Sequence, residues 1–507
     1  MLFSSNAFVL AFLPVAVAGF FVVGAYSHYG ALAFLVAASL VFYGWTDPIY
    51  LAVLLPSIVF NYLCGIAITR ARNPAARWLT TAAILINLVC LGYFKYAAFA
   101  VENLNWLLGA RLTVADAGLP LGISFFTFTQ IAFLADAYAR RASEYRFVHY
   151  ALFVTYFPHL IAGPILHHKE MIPQFEKQAV TRFDWQNFAA GTTIFAIGLF
   201  KKVIIADTFA IYADNAFAQA SSVNLGLLDA WVGTLSFAFQ IYFDFSAYCD
   251  MAVGMSLIFG IRLPLNFFSP YKSASIIDFW RTWHMTLSRF LCDYVYIPLG
   301  GNRRGAVRRY VNLLLTMLIG GLWHGANWNF VIWGGLHGLF IVINHAWRRV
   351  AAPALRLPHV VSVGITFGAV CFAWVFFRSE TTAKAISIIN GMIGLNGLVI
   401  PHNYRGWFGP LADSMAAMGV AFGTTPAFGG LKQVAILALG FAIIWLLPNV
   451  AEIFARYRPV LDPEGFAIRE STLYWRPRLY WAAGAAAAMF VSVVSIADYK
   501  PFIYFQF

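Results

Sequence analysis

Leu313-Leu314-Leu315 opens an apolar run over roughly 310 to 347, and Gly320-Gly321-Leu322-Trp323-His324-Gly325-Ala326-Asn327-Trp328 interrupts it. Runs near 20 apolar residues cross a hydrocarbon core of about 30 Å as helices, whereas outer-membrane strands alternate over about ten residues. The run therefore predicts membrane-spanning helix. His324 falls near mid-membrane, where an ionisable side chain is costly and marks a functional candidate. Such a histidine is often only a helix-to-helix hydrogen bond. The glycines on both sides argue for more, because they let another backbone or a substrate approach closely, and Asn327 at i+3 is placed to orient the imidazole. His337 would lie about 220° around a continuous helix from His324, a poor partner unless the glycines break that helix.

Working outward, the rest of the chain repeats the apolar signal. Of 507 residues, 61% are hydrophobic and 11% charged, against about 25% charged in soluble domains. An ordinary soluble enzyme is excluded. Apolar spans read at roughly 7 to 25, 30 to 45, 48 to 68, 78 to 100, 119 to 138, 148 to 166, 188 to 206, 227 to 261, 310 to 347, 359 to 377, 434 to 448 and 479 to 497. No internal repeat divides them, so the expected fold is all-α, a polytopic transmembrane bundle forming a single membrane-embedded domain over 1–507. The stretch from 379 to 433, punctuated by Pro401, Pro410, Pro426, Gly429 and Gly430, reads as an external loop or surface-lying helices. The closing Ile503-Tyr504-Phe505-Gln506-Phe507 has the look of a barrel terminus, but no alternating segments precede it.

The net charge of +12 sits in short loops between spans, where it orients the protein rather than binding nucleic acid. Arg70, Arg72 and Arg77 form one cluster, and Arg140, Arg141 and Arg146 form another two spans later. Both are expected in the cytoplasm, with 101 to 118 and the N-terminus outside. Arg456, Arg458, Arg469, Arg476 and Arg478 place the last large loop inside and the C-terminus outside. In a bacterial inner membrane both termini are then periplasmic. Arg70 is the first Lys or Arg, so Ala16-Val17-Ala18 lacks the basic region of a cleavable signal and the first helix is expected to be retained. Cys64, Cys90, Cys249, Cys292 and Cys371 are scattered without CxxC spacing and read as packing residues.

Other spans also carry polar groups. Leu119 to Gln130 combines Gly with hydroxyl residues, which suits close helix packing, and Gln130 needs a partner. Pro158, Gly163 and Pro164 break the helix in Tyr156 to Ile165, and broken backbone at membrane depth is tolerated only inside protein or beside a watery cavity. Neighbouring His167 and His168 point about 100° apart on a helix and share a metal ion poorly; no metal site is expected. Asp244 and Asp250 lie about 600° apart along a helix, so a buried clasp is favoured over an acid–base dyad or a substrate path, with Tyr248 in reach of Asp244. Ser246 lacks the GxSxG elbow of hydrolases. As one helix, Asp278-Phe279-Trp280-Arg281-Thr282-Trp283-His284 sets Asp278 beside Arg281 and His284 beside Trp280. That mixture suits a short interfacial or re-entrant helix.

Two pairs of motifs resemble those of the membrane-bound O-acyltransferases, and within them the bacterial alginate O-acetylase branch. One pair is Asp278 to His284 with Tyr294 to Gly301; the other is Trp323 to Trp328 with Trp333-Gly334-Gly335-Leu336-His337-Gly338. Supporting matches at Leu119 to Gln130, Pro158 to Pro164, Phe243 to Asp250, Phe372 to Arg378 and Phe502 to Phe507 extend the resemblance over essentially the whole chain. It implies a buried tunnel, His324 as the essential histidine and His284 as the second histidine of the polysaccharide branch. The substrate-binding candidates are Trp323, Asn327, Trp328, Asp278 and Arg281.

The implied activity passes acetyl groups from a cytoplasmic donor across the inner membrane for O-acetylation of an exported polysaccharide such as alginate. Acetyl-CoA or another acetyl thioester is the implied donor, with no cofactor held. Implied partners are membrane lipid, a periplasmic acetyltransferase and the polysaccharide export machinery. Imidazole suits the chemistry, since a hydroxyl needs a base near neutral pH to take its proton. Two alternatives stay open: D-alanyl transfer to teichoic acid, which shares both histidine motifs, and a proton-coupled transporter using Asp244, Asp250 and His324.

Overall fold

The computed structural model describes residues 1–115, 118–141, 146–161, 163–350, 357–461 and 467–496. The termination expected outside, and the Phe502 to Phe507 match, lie beyond the described residues, as does Ala162. The apolar runs form helices: α1 (Phe8–Tyr26), α2 (His28–Gly44), α3 (Leu51–Arg70), α4 (Ala75–Leu108), α5 (Ile123–Tyr138) and α6 (Phe147–Thr155). They continue as α7 (Trp185–Phe200), α8 (Asp207–Gln219), α9 (Leu227–Ile258), α10 (Ile276–Thr282) and α11 (Met285–Leu291). The last are α12 (Ala306–His324), α13 (Trp328–Val350), α14 (His359–Arg378), α15 (Leu431–Leu446) and α16 (Leu479–Ser495). Sheet among the described residues amounts to two short parallel pairs, Leu263–Pro264 with Val460–Leu461 and Val399–Pro401 with Ala421–Gly423. Phe8–Tyr26, Pro48–Arg70, Ala75–Leu108, Trp328–Arg349 and His359–Arg378 are long and apolar enough to cross a membrane. The protein is a multi-pass membrane protein.

Arg140 donates to the carbonyls of Thr69 and Ala71, which brings two of the basic clusters to one face of the bundle. Lys272 joins Leu447 O at 3.0 Å on that same face. On the opposite face α4 ends, α13 begins, and the 379–433 segment packs back, with Trp231 Nε1 donating to Met392 O at 2.9 Å. That segment holds a helix, Thr382–Met392, and the second strand pair.

Three sequence expectations need correction. The span read at 148 to 166 does not cross: α6 stops at Thr155, a four-residue helix follows, and the chain returns so that Ile165 N–H donates to Thr286 Oγ1 at 3.0 Å. Pro158 and Gly163 favour that break, and the freed backbone finds protein partners in place of lipid. The run at 310 to 347 is a hairpin of two helices rather than one span. Residues 278 to 284 are not one helix either, because α10 ends at Thr282, Trp283 is extended and His284 is left-handed (φ +43°).

The core is built around α9, a 32-residue helix buried along most of its length. An apolar surface all round requires that. α7 crosses it where Gly191 meets Gly254; a Cβ at Gly191 would come within 2.5 Å of the Gly254 carbonyl, so only glycine allows this approach. A π-helical turn, Lys201–Ala206, bends the chain between α7 and α8 and points two lysines at α9. Lys202 bridges Asp207 (2.8 Å) and Asp244 (3.2 Å), while Lys201 pairs with Asp250 (2.5 Å). Asp244 and Asp250 of α9 are thus each paired with a lysine, which is the clasp arrangement. Gln130 finds Ser57 Oγ at 2.9 Å and Tyr150 O–H at 3.2 Å.

Candidate active site

α12 ends at His324 because Gly325 turns extended and Asn327 starts the next helix, its Oδ1 accepting the Asn329 N–H at 2.8 Å. The hairpin closes tightly through Gly321 and Gly334, whose Cα atoms face each other; a Cβ on Gly321 would strike the Phe330 carbonyl. Closure brings His337 back toward His324. The Trp333 ring lies 5.0 Å from the imidazole of His324 and 4.8 Å from that of His337. The expectation that His337 lies far around a continuous helix fails because the glycines do break it.

His284 arrives from the other side of Trp323, its ring centroid 6.1 Å from that indole, which is itself 4.9 Å from the His324 ring. Phe245 packs edge-on to His284 at 4.8 Å. All three histidines are buried. His284, His337 and Lys95 are all within electrostatic range of His324.

The hydrogen bonds fix two of the three imidazoles in opposite tautomers. Asn266 Oδ1 accepts the Thr286 backbone N–H (3.2 Å) and the Thr286 hydroxyl (2.9 Å), so the oxygen end of that amide is assigned by a group that can only donate. His284 Nδ1, 3.1 Å from the same oxygen, must donate to it. In the neutral ring Nε2 then carries the lone pair, and it has no hydrogen-bond partner among the described residues. His337 is wired in reverse: its Nδ1 accepts from Trp280 Nε1 at 3.3 Å, which leaves the proton on Nε2.

Two cavities approach this cluster. One, of about 300 Å³, opens on the face away from the basic loops and is bounded by Thr46, Lys95, Leu119 to Phe125, Trp323 and His324. The other, about 30 Å³, lies among Lys201, Asp250, Asn266, Phe267, Asn449 and Pro459, next to the amide that holds His284. Trp323 stands between, stacked on Phe128 at 5.6 Å.

The remaining candidates lie around the cluster rather than in it. Asn327 donates to Glu380 O at 3.0 Å, so its amide is engaged in capping and loop contacts and not placed by the i+3 geometry expected from sequence. Trp328 donates to Asn103 Oδ1 at 2.9 Å, and with Asn327 it lines a cleft of about 480 Å³ at the end of α4. Asp278 takes the Ser275 hydroxyl at 2.6 Å, pairs with Arg281 at 3.6 Å as its spacing suggested, and meets Arg348 at 3.5 Å. That group borders a separate cavity near the basic end of α13.

Both histidine-bearing breaks fall inside residues 26–382, the segment that matches the signature of the membrane-bound O-acyltransferase family. The chain belongs to the membrane-bound O-acyltransferase family. Similar proteins include a peptidoglycan O-acetyltransferase of Helicobacter pylori, 44% identical over 79% of this chain and 81% of that one. A probable alginate O-acetylase of Pseudomonas aeruginosa is 42% identical over 77% of this chain and 75% of its own. A teichoic acid D-alanyltransferase of Bacillus subtilis is 31% identical over 51% of this chain and 69% of its own.

In this O-acyltransferase, sequence reasoning passed over Lys95, Asn266, Lys201 and Lys202. Lys95 gave a readable signal, being a lone cation in an apolar span. Asn266 gave none, since its partner comes from beyond a turn and only the fold joins them.

Proposed function

We propose that this O-acyltransferase carries acetyl groups from a cytoplasmic thioester, acetyl-CoA in the simplest case, across a bacterial inner membrane for O-acetylation of an exported polysaccharide. What carries the reading is the cavity that opens beside Trp323 and His324, with a small hollow of about 30 Å³ on the other side of the cluster against Asn266, the partner of His284. With the basic loops cytoplasmic, the Asn266 side receives the donor and the Lys95 side the acceptor. Both termini then start or finish outside, and 1–507 works as one membrane-embedded unit.

His324 takes the acceptor hydroxyl's proton, the oxygen attacks the thioester carbonyl carbon, the C–S bond breaks, and the thiolate leaves with a proton. His284 offers a bare nitrogen beside Trp323. The peptidoglycan and alginate relatives differ in polymer and agree in the bond made, an O-acetyl ester, so the acceptor class is polysaccharide hydroxyl with alginate as one instance. An outer cavity of about 300 Å³ holds a small group and not a polymer, which favours hand-over to a periplasmic acetyltransferase.

Inside-out membrane vesicles containing the chain, given labelled acetyl-CoA, are expected to build hydroxylamine-labile acetyl ester on the lumenal acceptor. Labelled D-alanyl thioester is expected to give none. Transfer from the D-alanyl donor alone would establish the teichoic-acid reading, and solute flux without ester formation would establish a transporter.

A further inference from the structure

The last carbonyls of α12 have no helical partner, and this helix stops inside the protein instead of at water. One turn of α4 satisfies three of them. Lys95 Nζ donates to Trp323 O at 2.5 Å and His324 O at 3.2 Å, and Tyr96 O–H donates to Leu322 O at 2.8 Å. The third ammonium proton goes to Ser124 Oγ at 3.2 Å. Both donors come from a π-helical turn, Gly92–Tyr96, in a helix that is mostly apolar and mostly faces outward. Such turns are rare and concentrate at functional sites. A lysine placed there is expensive in lipid, and a cation at a helix C-terminus recovers part of that cost through the helix dipole.

We propose that Lys95 is a positioning residue that holds the end of α12, and through it the imidazole of His324, against the outer cavity. This rests on the reading that His324 is the working imidazole. The ammonium has three protons and three protein acceptors, so it is committed to the helix end although it borders the cavity. Without it, the carbonyls of Trp323 and His324 lose their ammonium donor, and the final turn before Gly325 loses its anchor.

The test uses the full chain in cells lacking their own copy, with acetyl on exported polysaccharide divided by membrane-protein level. Lys95→Met and Lys95→Cys are expected to accumulate normally and to lose activity by a factor on the order of 10 or more. Alkylating Lys95→Cys membranes with 2-bromoethylamine rebuilds a lysine-length cation and should restore most of the activity; 2-bromoethanol, which adds a neutral arm, should not. Treated wild type controls for the five native cysteines. Full activity in Lys95→Met, or restoration by both reagents or by neither, overturns the proposal. His324→Ala is run beside these. Loss there with full activity in Lys95→Met removes only the lysine's role, whereas full activity in His324→Ala removes the reading beneath it. If Lys95→Cys fails to accumulate, wild-type turnover per molecule in the residual Lys95→Met protein still overturns the proposal.

Discussion

His284 and His337 are both fully buried, and both sit within the ring network around Trp280, Trp283 and Trp333, yet their hydrogen bonds run in opposite senses. Asn266 draws the proton of His284 to Nδ1 and leaves Nε2 bare; Trp280 occupies Nδ1 of His337 and leaves Nε2 protonated. Burial and proximity are therefore not what separates a proton acceptor from a packing residue. The group on the far nitrogen decides. The backbone agrees, since His284 stands at a helix break in the left-handed region, a costly conformation for a side-chain-bearing residue, whereas His337 lies within regular helix.

His324 tests that comparison most severely. His324→Ala removes one polar side chain from a large bundle, so membrane level should hold while acetyl transfer falls by a factor on the order of 10² or more, the scale of a positioned acid–base group. Near-normal transfer by a well-expressed variant would return His324 to packing. His284→Ala follows, with an expected loss of about 30-fold if the bare Nε2 handles a proton. Equal activity in His284→Ala and wild type would erase the distinction between the two tautomers.

Asn266 sharpens the same point with both imidazoles left in place. Asn266→Leu keeps the volume and removes the acceptor that fixes the His284 tautomer, so activity should drop by about tenfold, the cost of losing a group that orients a functional histidine. Asn266→Asp keeps an acceptor there and should recover most of it. The two variants measured side by side, per unit of membrane protein, decide whether orientation or mere packing is at stake; equal losses would favour packing.

Much of the bundle was legible in the chain, because lipid demands long apolar helices and the chain supplies them at the expected places. The errors share one physical origin. Periodicity describes a continuous helix, and at 156–165, 282–284 and 325–327 the chain leaves it, so every angle computed across those points failed: His284 beside Trp280, Asn327 beside His324, and His337 far from His324. Proline and glycine announced the first and third breaks but not where the chain went next. At 283–284 neither residue is Gly or Pro, and the left-handed turn at His284 is held by Asn266, which only folding brings there. The partners of Asp244 and Asp250 were hidden for the same reason, since the two consecutive lysines lie within the span read at 188 to 206 and only a π turn points them at α9.

The smallest expected effect is the one that separates the two buried histidines most cleanly. His337→Asn puts a carbonyl oxygen near the old Nδ1 position, so Trp280 Nε1 keeps its acceptor, and what disappears is an Nε2–H that has no partner among the described residues. The lost ring atoms leave a small void beside Trp333, which should cost about 1 to 2 kcal/mol of stability by the usual scale for trimming a packed core. Acetyl transfer per folded molecule should stay within about twofold of wild type, because a nitrogen already carrying its proton in the neutral ring offers no lone pair to a hydroxyl. Thermal unfolding in detergent and acetyl transfer measured on the same preparation separate the two quantities. A lower midpoint with turnover preserved keeps His337 as the framework against which His324 packs, while a tenfold fall in turnover at an unchanged midpoint would make it a third member of the proton path and undo the contrast with His284.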